Sequence, residues 1–105
     1  MITVTVSYPN IEGGKFDQAY YMQSHMRKVA SLIGPDLLGV TVEQGISGVP
    51  SGAPAPYCMI ARLEFVSMAG FESYFAANGE ALLADIPNYT NIQPVIQISQ
   101  VLELV

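Results

Sequence analysis

Hydrophobic and polar positions alternate at the start of the chain. Ile2, Val4, Val6 and Tyr8 interleave with Thr3, Thr5 and Ser7, the period-2 signature of a strand. Pro9-Asn10 and Gly13-Gly14 break the run. From Phe16 to Ile33 the period becomes helical, with Ala19, Met22, Met26, Val29, Ala30 and Ile33 on one face, Asp17 near the start and Gly34-Pro35 as the stop. Leu38, Val40, Val42 and Ile46 alternate next and predict a second strand, followed by GISGVPSGAPA as a long hairpin loop. In a third strand Tyr57, Met59, Ala61, Leu63 and Phe65 alternate with Cys58, Ile60, Arg62 and Glu64. Ser67 is placed to cap a helix, SMAGFESYFAAN, that ends at Gly79. A shorter piece, GEALLADI, is stopped by Pro87, and Ile96, Ile98, Leu102 and Leu104 line a final strand.

The order βαββαβ predicts one α+β domain over residues 1–105, a ferredoxin-like unit with both helices on one face of an antiparallel sheet. The other face collects Thr3, Thr5, Ser7, Thr41, Glu43, Arg62, Glu64, Gln97 and Ser99, which are polar but sparsely charged. Such a face suits a second sheet better than bulk water, and stacking it on its own copy predicts a homodimeric α+β barrel with the helices outside. The alternative is an open sheet facing solvent.

Composition sharpens this picture. Half of the residues are hydrophobic and only 12% are charged, against roughly 25% in ordinary soluble domains, which again points to self-association. A net charge of −5 with four scattered Lys and Arg excludes nucleic acid and anionic membrane surfaces as partners, since both need a basic patch. No apolar run approaches the roughly 18 residues of a membrane span. The amino terminus lacks the positive lead of a signal peptide, so a soluble, cytoplasmic protein is expected. Cys58 is the lone cysteine and reads as a packed strand residue. With one histidine there is no cluster for zinc or iron, and the loop glycines lack the spacing of a phosphate-binding turn, so no metal or organic cofactor is implied.

His25, the single histidine, lies within FDQAYYMQSHM. At about 100° per residue it shares a stripe with Gln18, Tyr21 and Leu32, beside the main apolar stripe of Met22, Met26 and Val29. That position is the margin of the core, partly enclosed and still able to exchange protons. Imidazole titrates near neutrality, so His25 is a candidate general acid or base, with the Tyr21 hydroxyl placed to orient it or to donate to a developing oxyanion. The competing reading is a packed histidine satisfied by a backbone carbonyl or a tyrosine hydroxyl. Met22 and Met26 read as core fillers.

Several motifs in order carry a family resemblance: SYPN after the first strand, FDQAYYMQSHM, PAPYCMIARLEF, DIPNYTN and PVIQISQV. Together they span nearly the whole chain, and the element formed by Tyr20, Tyr21 and His25 is the most telling. The sequence resembles the EthD family, named for ethyl tert-butyl ether degradation, whose members are small dimeric α+β barrel proteins. The resemblance implies a ferredoxin-like fold, a dimer and a pocket between the sheet and its helices. Similar barrels include cofactor-independent oxygenases, cyclases and decarboxylases acting on aromatic polyketides, so small apolar or phenolic metabolites are the implied ligands. Mainly from the resemblance, Asn88 and Thr90 join Tyr8 as substrate-orienting residues.

Two functions follow. In the first, an enzyme without cofactor uses His25 as acid/base and Tyr21 as a hydrogen-bonding partner on an apolar carbonyl or phenolic substrate, in oxidoreductase, lyase or isomerase chemistry. In the second, a non-catalytic module binds or delivers an apolar metabolite, or assists a partner monooxygenase, and His25 is structural.

Overall fold

The structure, a computed structural model, describes residues 1–32 and 35–104. The expected end of the first helix, Ile33 and Gly34, lies outside the described residues. Four strands, β1 (Ile2–Pro9), β2 (Leu37–Gln44), β3 (Tyr57–Phe65) and β4 (Val95–Gln100), form one sheet in the order β2-β3-β1-β4 with every neighbouring pair antiparallel. Between β1 and β2 the chain runs through α1 (Gln18–Tyr20), a π-helical turn (Tyr21–His25) and α2 (Met26–Ser31). Between β3 and β4 it forms α3 (Met68–Asp85) and a 3₁₀ turn (Ile86–Asn88). This is the expected ferredoxin-like α+β order.

Each element starts where its chemistry directs. Asp17 caps α1 by accepting from the Tyr20 amide at 3.0 Å, and the Ser67 hydroxyl accepts from the Gly70 amide at 3.2 Å. Along β1, Val4 and Tyr8 are buried toward the helices. On β3, Met59 opposite Tyr8, Ala61 opposite Val6 and Phe65 opposite Ile2 supply the matching buried face. On the opposite face an exposed ion pair of 3.1 Å joins Arg62 to Glu43. Among the described residues no helix is long and apolar enough to cross a membrane.

Four local expectations are corrected. The buried face of the first helical layer is Tyr21, His25, Met26 and Val29; Met22 is 43% exposed, and Ala19 and Ala30 are exposed as well. The cause is the π turn. Its i→i+5 hydrogen bonds wind fewer degrees per residue than an α-helix, so the residues within and before it are rephased against α2, turning Tyr21 inward and Met22 outward; Ala30, in α2 beyond the turn, is outside this effect. In β2 a bulge between Leu37 and Gly39 buries Leu37 and leaves Leu38 54% exposed, while Ile46 lies beyond the strand in the loop. Gly79 does not end a helix, and α3 runs through it to Asp85. Leu102 and Leu104 lie past the end of β4 and are exposed.

The rephased helix predicts opposite outcomes at neighbouring methionines. Met26→Asp buries an unpaired charge and should cost about 3 kcal/mol or more, whereas Met22→Asp should stay within about 0.5 kcal/mol. Urea denaturation of the two variants checks this, and similar losses at both positions would refute the phase set by the π turn.

Candidate ligand-binding site

The segment after α3 ties the site together. Its backbone meets the start of the first helical layer where the Asp17 amide donates to the Tyr89 carbonyl at 2.7 Å, and Phe16 bridges Thr90. The Thr90 hydroxyl donates to the Lys15 carbonyl at 2.6 Å and accepts from the Ile92 amide at 3.0 Å. Tyr89 is thereby fixed beside the π turn, its ring centroid 4.8 Å from that of His25. The Tyr89 and Tyr8 hydroxyls share a hydrogen bond of 2.7 Å.

His25 Nδ1 lies 2.9 Å from Oδ2 of Asp85, the last residue of α3. The other oxygen of that carboxylate, Oδ1, accepts from Asn88 Nδ2 at 2.9 Å and from the Tyr20 hydroxyl at 2.7 Å. The hydrogen bond from Asn88, helped by those from Tyr20 and His25, outweighs partial burial and holds the Asp85 carboxyl at about 2, below its ordinary 3.8. Asp85 is therefore ionised near neutrality and can only accept, so Nδ1 carries the hydrogen of a neutral His25 and Nε2 presents a lone pair.

Between the sheet and α3 this imidazole borders a cavity of about 100 Å³, walled chiefly by Val29, Ala61, Leu63, Phe71, Leu82 and Ile86. The cavity reaches the surface where Phe75, Leu83 and Ile96 are each more than 40% exposed. Gly79 lies on the same wall. A Cβ there would come within 2.8–2.9 Å of the Phe75 ring, so the missing side chain is what lets that ring lie across the helix.

Of the residues singled out in the sequence, His25, Tyr21 and Tyr8 border this one cavity. Tyr21 stacks on His25 with ring centroids 5.8 Å apart and planes within 13°, and makes no hydrogen bond to it. Its hydroxyl is fully buried and has no partner among the described residues. Burial raises the Tyr8, Tyr21 and Tyr89 hydroxyls well above the usual phenol range, so all three stay protonated. Asn88 is exposed and serves Asp85 from outside the cavity. Thr90 is buried and holds the loop. Cys58 is half-buried on β3, and burial raises its thiol. Among the described residues no group of three His, Cys, Asp or Glu side chains could hold a metal ion.

Asp85, Tyr20 and Tyr89 are absent from the sequence-derived set of site residues. One signal pointed to Asp85: a carboxylate in the last turn of a helix opposes the macrodipole, so its presence there calls for compensating partners.

No sequence-family model matches the chain, and no curated protein matches it. Solved structures do. An EthD-like protein from Ralstonia eutropha is 39% identical, superposes with a TM-score of 0.90, and the match covers 99% of this chain and 94% of that one. An ethyl tert-butyl ether degradation (EthD) family protein from Bacillus halodurans is 15% identical with a TM-score of 0.68, covering 97% and 99%. HapK from Hahella chejuensis shares the fold at 12% identity and a TM-score of 0.56, covering 96% and 93%. With 39% identity sustained over nearly the full length of both chains, the protein belongs to the EthD-like family.

Proposed function

We propose that this protein binds a small, largely apolar molecule in the cavity between α3 and the sheet, and that His25 acts on it as a general acid/base. The observation that carries this reading is the 2.9 Å contact of His25 Nδ1 with an ionised Asp85 at the wall of an apolar cavity. A proton taken by Nε2 leaves an imidazolium next to that carboxylate, which stabilises it, and the same nitrogen returns the proton at another atom of the ligand. Tyr21 stacks on the imidazole and Tyr8 packs edge-on against Tyr21, two neutral hydroxyl-bearing rings that hold its orientation and shape the ligand's position. The structural likeness to HapK and to an antibiotic biosynthesis monooxygenase (12% identity, TM-score 0.52, covering 98% of this chain and 100% of that one) extends to the fold. A carrier would use the same cavity without the proton transfer.

We also propose that two copies pair through the polar sheet face into the barrel expected from sequence. On that face the edge strand β4 leaves Val95, in register with Ser7, 53% exposed, and exposed apolar edges are ordinarily covered in a stable protein.

Three outcomes test these readings. A panel of one-ring apolar compounds should raise the melting temperature and move the ring resonances of His25. If the panel leaves both unchanged, the cavity does not bind ligand. Light scattering at micromolar concentration should give twice the 11.3 kDa chain mass, and Thr5→Lys should shift it toward monomer by bringing like charges together; a monomeric wild type would end the dimer reading. Finally, the folded-state pKa of Asp85 lies below its ordinary 3.8, so its contribution to stability is complete above about pH 4 and lost as pH falls through about 2. The stability difference between wild type and Asp85→Asn should therefore shrink over that window by about 2 kcal/mol. A difference that stays constant from pH 6 to 2 would rule out the ionised carboxylate.

A further inference from the structure

The polar atoms on the cavity wall reduce to one that can meet a ligand directly. Four cavity residues carry side-chain nitrogen or oxygen: Tyr8, Tyr21, His25 and Tyr74. Tyr8 is engaged by the Tyr89 hydroxyl at 2.7 Å, and Tyr74 donates to the Val29 carbonyl at 3.2 Å. The Tyr21 hydroxyl is buried out of reach of water. His25 Nε2 remains, on the ring edge away from Asp85, and it has no protein partner among the described residues.

In the neutral imidazole, with its hydrogen held on Nδ1 by the Asp85 carboxylate, Nε2 accepts and does not donate. A ligand that satisfies it must donate. Among the described residues no Lys or Arg borders the cavity, and the Asp85 carboxylate stands behind His25, so an anionic ligand would meet no fixed positive charge. A cavity of about 100 Å³ with apolar and aromatic walls takes a single six-membered ring, and its open end at Phe75, Leu83 and Ile96 admits substituents.

Resting on the binding reading above, we infer that the ligand is a neutral hydroxylated ring, a phenol or an enol of the same shape, whose O–H donates to His25 Nε2 while the ring fills the apolar cavity. Asp85 is then a positioning residue: it selects donors over acceptors at the site without touching the ligand. Tyr20 and Asn88 act one step further out, holding Asp85 ionised.

Phenol, anisole and benzoate separate the possibilities, because anisole keeps the shape and loses the donor while benzoate adds a charge. Measured by NMR titration of the wild-type protein, phenol should bind about tenfold more tightly than anisole, as expected for one good hydrogen bond to an otherwise unpaired acceptor. Benzoate should bind more weakly than either. Nitrogen-15 shifts of the free protein should report the Nδ1–H tautomer of His25, and His25→Phe should bring the phenol-to-anisole ratio to about one. Equal binding of phenol and anisole, tightest binding of benzoate, an Nε2–H tautomer, or an unchanged ratio in His25→Phe would each overturn the donor assignment while leaving the cavity as a binding site. Failure of all three compounds to bind would overturn both.

Discussion

The contact between Asp85 and His25 joins residues 60 positions apart and couples the end of one helical layer to the middle of the other. It works because both groups are already positioned. The π turn points the imidazole inward, and the 3₁₀ turn after α3 brings Asn88 back to the carboxylate that precedes it. A half-exposed ion pair such as Arg62–Glu43 contributes little, since water screens it and long side chains must be ordered to form it. The Asp85 carboxylate is 17% exposed and accepts three hydrogen bonds, so its charge is solvated by the protein itself.

That arrangement also divides the labour among the tyrosines. Tyr20 supports the carboxylate, Tyr89 packs on the imidazole and bonds Tyr8, and Tyr21 stacks beside His25 with its hydroxyl unsatisfied. A buried hydroxyl without a partner costs on the order of 1–3 kcal/mol. Burial of the Tyr21 ring against Tyr8 and Phe16 in edge-on contacts offsets this.

The strands and their order were legible because strict alternation leaves a strand one choice of buried face, as the pairing of Val4 and Tyr8 against Leu63 and Met59 shows. So was the helical character of the Tyr20–His25 stretch. Its phase was not, because a π turn leaves no trace in composition, and an ideal 100° step assigns Met22 to the core where the structure buries Tyr21. Leu38 failed for a related reason: a single bulged residue exchanges it with Leu37. The pairing of Asp85 with His25 was out of reach of any local pattern, since a carboxylate in a last helical turn calls for partners without naming one 60 positions away. Gly79 read as a stop because glycine is the usual helix terminator, whereas here its role is steric, leaving room for the Phe75 ring.

That glycine has a mechanical consequence. A residue without a side chain in mid-helix weakens the intrinsic hold of α3 by about 1 kcal/mol, and it lies six positions before Asp85. The last turn of α3 is secured in addition by the carboxylate clasp at its end, where Tyr20, His25 and Asn88 hold Asp85. Neutralising that clasp would loosen the hold on the imidazole and on the last turn of α3 together, because one carboxylate serves both.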